Sequence, residues 1–142
     1  MANQDERPTG LTKDVGYQIG VRSTLPIGLD EAWQLLTSSR GISLWLGPTP
    51  GLNFDKGATY QLADGSSGEV RVYSPGSHLR ITWRQRGWQK ASTIQVRVVP
   101  KEEKTVVAFH QENLPGPGER EQRRAHFKLA LDQLERIILA DR

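Results

Sequence analysis

Residues 119–140 read Glu-Arg-Glu-Gln-Arg-Arg-Ala-His-Phe-Lys-Leu-Ala-Leu-Asp-Gln-Leu-Glu-Arg-Ile-Ile-Leu-Ala, with neither Gly nor Pro among them. Phe127, Leu131, Leu134 and Ile138 recur at steps of four, three and four. Ala130 and Ile137 widen that stripe, and charges crowd the other side. This spacing predicts one long amphipathic helix whose apolar side must be buried. The partner large enough to bury it is a set of alternating segments between Ala58 and Gln111.

Those segments read as strands at Ala58–Leu62, Glu69–Tyr73, His78–Arg84, Ser92–Val99 and Thr105–Glu112. In the third, Leu79, Ile81 and Trp83 share one face, while Arg80, Thr82 and Arg84 share the other. In the fourth, Ile94, Val96 and Val98 face inward, and in the fifth Val107, Phe109 and Gln111 share a face. Asp64-Gly65, Pro75-Gly76 and the polar residues 101–104 supply the turns. Hairpin succession makes these strands antiparallel.

Upstream, Tyr17, Ile19 and Val21 alternate with Gln18 and Arg22, which gives a first strand over Tyr17–Thr24. A helix is expected over Leu29–Leu36, with Asp30 and Glu31 complementing its positive end. A second short helix, capped by Ser38 or Ser39, is expected to end near Leu46, before Gly47 and Pro48. Residues 49–57 form a connection anchored by Leu52 and Phe54. Residues 1–14 are polar and without period, and are expected to form a disordered or loosely held arm before a single domain over 15–142.

The chain has 142 residues, 36% hydrophobic content, net charge +3 and no cysteine. Length suits one core. The absence of cysteine excludes disulfides, thiol nucleophiles and thiolate metal sites, and fits a cytoplasmic location. Neither a membrane span nor the apolar stretch of a signal peptide is present. Six basic residues and no acidic ones fall between Arg80 and Lys101. A solvated outer sheet face is the preferred account of them. An acidic protein partner is the alternative, and nucleic acid is not expected at so mild a net charge.

The order of elements, β-α-α-β-β-β-β-β-α, resembles the START-like or SRPBCC superfamily. Its nearest branch is the domain shared with the activator of the Hsp90 ATPase. The resemblance rests on residues 30–37 (Asp-Glu-Ala-Trp-Gln-Leu-Leu-Thr) and on Trp45-Leu46-Gly47-Pro48. It rests further on Gly57, the turn at 64–69, the Leu-Arg-Ile-Thr-Trp run at 79–83, Leu114-Pro115 and residues 131–134, and it covers about residues 16–140. Leu46, Gln111, Glu112 and Phe127 depart from the family's common residues. The resemblance implies an α+β helix-grip fold, a curved antiparallel sheet wrapped around the long C-terminal helix, with a cavity between them. It also associates the chain with stress-response proteins.

A cavity of that kind would be lined by Trp45, Phe54, Tyr60, Trp83, Phe109, Gln111, Phe127 and Leu131, with Trp88 at its mouth. Apolar lining with few polar groups suits an apolar or amphipathic small molecule. No catalytic residue, metal ligand set or cofactor motif is identified. His78, His110 and His126 read as ordinary solvated histidines, and His110 with Glu112 falls short of a closed metal site. A binding protein is therefore preferred. A polyketide cyclase or hydrolase-like enzyme using Tyr60, Gln111 and an arginine, and a chaperone-interacting module using the basic face, are the alternatives. Ionisable groups converging in the cavity would favour the enzyme; none is expected.

Overall fold

Turn chemistry sets the topology. The computed structural model describes residues 11–12, 16–49 and 51–141. Short loops link β3 (Thr59–Gln61), β4 (Ser67–Ser74), β5 (His78–Trp83), β6 (Ser92–Lys101) and β7 (Lys104–Leu114), so each strand folds back beside its predecessor. At the β3–β4 turn, the Asp64 carboxylate accepts from both the backbone N–H and the hydroxyl of Ser66, at 2.9 and 2.6 Å. These bonds hold it below the usual carboxylate range. The β6–β7 hairpin is tighter than its charged sequence suggests. Lys101 pairs with Lys104, and Glu102 adopts φ 58 to close the turn.

β2 (Gly16–Leu25) pairs with β7 and closes the sheet on the other side. The short β1 (Leu11–Thr12) pairs with β2, giving the antiparallel order β1-β2-β7-β6-β5-β4-β3. The curved sheet and α+β class expected from the sequence are present, with β1 as an added edge strand. The rest of the expected N-terminal arm lies outside the described residues.

α1 (Leu29–Thr37) and α2 (Ser39–Trp45) follow β2. Ser38 caps α2, its hydroxyl oxygen accepting from the Gly41 N–H at 3.1 Å. Gly41 also permits the tight bend between the two helices, since a Cβ there would overlap the Leu35 carbonyl. α3 runs over Pro117–Ala140, two residues earlier than its apolar stripe requires. Pro117 suits a first-turn position because its fixed φ is already helical and no N–H is lost from the ladder.

α3 buries Phe127, Ala130, Leu131, Leu134 and Ile138. These meet the inner sheet face, where Leu79, Ile81, Ile94, Val96, Val107 and Phe109 are shielded from solvent. Burial of each such side chain contributes about 1.5–3 kcal/mol. Trp33, Leu36, Ile42 and Trp45 bring α1 and α2 into the same core. Among the described residues, no helix is long and apolar enough to cross a membrane.

Candidate functional site

The inner face of β7 carries Phe109 opposite Phe127 of α3. Their rings stack with centroids 4.9 Å apart, and Trp45 packs on Phe109 at 6.0 Å. All three are fully buried, and the Trp45 indole N–H donates to the Leu36 carbonyl at 2.8 Å. At this level helix and sheet are in direct contact. Three residues expected to line a cavity thus serve as packing there. Leu131 lies along the groove between α3 and β2, with Val21 and Lys128. Phe54 stands apart: it stacks on Tyr73 at 4.8 Å, beside Lys56 and Arg71.

Trp83, Gln111 and Tyr60 do come together, around a residue absent from the expected set, Arg123. Its guanidinium lies 4.1 Å from the Trp83 ring centroid and 5.1 Å from that of Phe127. Its Nε–H donates to Gln111 Oε1 at 2.8 Å. Gln111 Nε2 then donates to Ser92 Oγ at 2.8 Å, and Ser92 Oγ donates to the Trp83 carbonyl at 2.6 Å. Gln111 is fully buried, and both ends of its amide are satisfied. Two donors in this cluster are shielded from solvent without a hydrogen-bond partner: Arg123 Nη2 and Trp83 Nε1.

Burial lowers Arg123 to about 10, against the opposing pull of Tyr60 and Asp64, so it remains a cation at neutral pH. Burial raises the Tyr60 phenol above its ordinary value. Its O–H is committed to the Thr82 carbonyl at 2.6 Å. His126 Nε2 lies 2.7 Å from the Trp45 carbonyl, which can only accept, so this nitrogen carries the proton. The expectation that no ionisable group converges here is corrected by Arg123, which approaches Tyr60 and Gln111. Arg84 does not enter; it donates to the Trp88 carbonyl at 3.0 Å on the exposed side. The cluster presents a cation and two unpaired donors, an arrangement suited to holding an anion.

Arg123 precedes Phe127 by four residues and so extends the apolar stripe one turn toward the helix start. That spacing was the available signal. A charged residue in such a register ordinarily marks the end of the buried face.

A cleft of about 780 Å3 opens beside this cluster, between residues 87–91 of the β5–β6 loop and residues 113–115 at the end of β7. Trp88, Ala91, Leu114 and Pro115 give it apolar walls, and Gln89, Lys90 and Asn113 give it polar ones. Trp88 meets Trp83 edge-on at 5.2 Å. This cleft is not the cavity expected between helix and sheet: of the residues named for that cavity and its mouth, Trp88 alone lines it.

A family model described as activator of Hsp90 ATPase homolog 1-like protein matches residues 28–138. No curated protein sequence matches the chain. Among solved structures, DynU16, from the dynemicin biosynthetic locus, superposes with TM-score 0.73 at 19% identity over 88% of this chain and 48% of that one. The chain thus spans about half the length of DynU16. CalU16 from Micromonospora echinospora gives 0.70 at 22% identity, over 82% of this chain and 73% of its own. An Hsp90 activator from Plasmodium falciparum gives 0.70 at 17% identity, over 85% and 95%. At these identities the likeness is one of fold.

Proposed function

The chain belongs to the activator of Hsp90 ATPase homolog 1-like family, and from that premise we propose that it is a non-catalytic binding protein for an apolar or amphipathic small molecule. The ligand sits in the cleft between the β5–β6 loop and the end of β7, with its apolar body against Trp88 and Leu114. The observation that carries this reading is the cleft itself. Its volume of about 780 Å3 and mixed apolar and polar lining match those of sites for small organic ligands.

The test uses N-phenyl-1-naphthylamine, a neutral probe that brightens in apolar sites. Saturable brightening is expected with the native protein. Ala91 is exposed in the cleft wall, so Ala91→Phe fills the cleft at little cost to the fold. It should weaken probe binding by about tenfold or more, the loss of roughly 1.4 kcal/mol of contact. Binding unaffected by Ala91→Phe, or no saturable binding at all, would rule the cleft out.

A second reading is favoured by the outer sheet face, where Arg80 and Arg97 are exposed on adjacent strands. Such a face suits an acidic protein partner, and the family's name makes a chaperone the first to try.

A further inference from the structure

The polar atoms of the cluster beneath the cleft are unevenly satisfied, and that imbalance has a chemical meaning. Arg123 spends its Nε–H on Gln111, yet Nη2 is shielded and unpaired. Trp83 Nε1 is likewise shielded and unpaired, in the ring on which the guanidinium lies. Gln111 serves neither donor: its oxygen accepts from Arg123 Nε and its nitrogen donates to Ser92. The described residues include no carboxylate in salt-bridge contact with Arg123. A buried cation with a free donor, next to a second free donor, lacks one thing: an acceptor carrying negative charge.

We propose that Arg123 and the Trp83 indole N–H form the anchor for the anionic group of the bound molecule, a carboxylate, sulfonate or phosphate. The ligand is thus amphipathic in a defined sense, an apolar body in the cleft with an acidic end turned inward. The cleft wall and the anchor are one side-chain layer apart: Trp88 of the wall touches Trp83, and Ala91 of the wall precedes Ser92 of the network. The acidic end enters when the largely exposed β5–β6 loop carrying Trp88 shifts. Gln111 acts as a positioning residue, holding the guanidinium plane against the Trp83 face through its single accepted bond. Arginine suits this role because its planar fork keeps donors free after one has been committed.

The inference rests on the cleft reading above, and its test separates the two. The paired probes are N-phenyl-1-naphthylamine and 8-anilinonaphthalene-1-sulfonate, which differ only in the sulfonate. The native protein should bind the sulfonate about tenfold or more tightly than the neutral probe, as expected for a charge-assisted hydrogen bond in a shielded site. Arg123→Met should remove that preference and leave the neutral probe unchanged, while Arg123→Lys should keep part of it. Should Arg123→Met fail to fold, the native protein still decides. In its NMR spectrum the Trp83 indole N–H resonance should move with the sulfonate and stay in place with the neutral probe. Equal binding of the two probes, a preference that survives Arg123→Met, or an unmoved indole resonance overturns the anchor and leaves the cleft standing. Binding of neither probe removes the cleft and the anchor together.

Discussion

His126 shows how one side chain of α3 joins distant parts of the chain and makes the fold sensitive to pH. Its Nε2–H donates to the Trp45 carbonyl at the end of α2. Burial and the neighbouring Arg123 cation both lower its pKa below the ordinary 6.5, and the Trp45 bond only partly offsets them. The folded protein therefore binds this proton less tightly than the unfolded chain does. As pH falls below about 6.5 the unfolded state takes up more protons, and stability is lost; as pH rises through the same window, stability returns. His126→Gln keeps an N–H donor without the titration. Thermal unfolding at pH 8 and pH 5 should show a smaller acid loss for His126→Gln than for the native chain, and an equal loss would exclude His126 as the cause. The same scale shows what sequence could disclose about the polar site. The parity of β7 placed Gln111 on the inner face with Phe109. Nothing in it announced that Gln111 would meet Arg123, because the two lie on separate elements, and a long side chain takes its direction from what surrounds it.

At the scale of the element, the Phe109–Phe127 stack joins α3 to β7. Phe127 is fully buried, so its removal leaves a cavity that the rigid sheet cannot close. Phe127→Ala should cost about 3–5 kcal/mol in denaturant unfolding. A loss below about 1 kcal/mol would mean that α3 is held elsewhere than on this stack. Strand and helix identities were legible because each is a periodic pattern within a few residues: period two in β5, β6 and β7, and steps of three and four in α3. Boundaries moved where local backbone chemistry competed with that pattern. α3 begins at Pro117 rather than Glu119, and β6 and β7 extend to a turn closed by Glu102 at positive φ.

At the scale of the molecule, the sheet separates two surfaces with different chemistry. The inner face carries the aromatic core and the Arg123 cluster, and the outer face carries exposed Arg80 and Arg97. The double substitution Arg80→Glu with Arg97→Glu should leave stability within about 0.5 kcal/mol, since neither side chain is buried. It should also leave cleft binding unchanged. Salt-sensitive association with an acidic chaperone should be lost on this charge reversal, and association that persists would dismiss the outer face as a docking surface. The chain's own pattern of apolar and polar residues determined the antiparallel sheet, the three helices and the burial of one helix stripe, because each follows from spacing along the backbone. Folding in three dimensions decided the rest: that Phe109 and Phe127 close the middle of the interior, that Phe54 leaves the group, and that Arg123 joins Gln111 beneath the cleft. Those outcomes depend on distances between segments far apart in sequence, which periodicity does not encode.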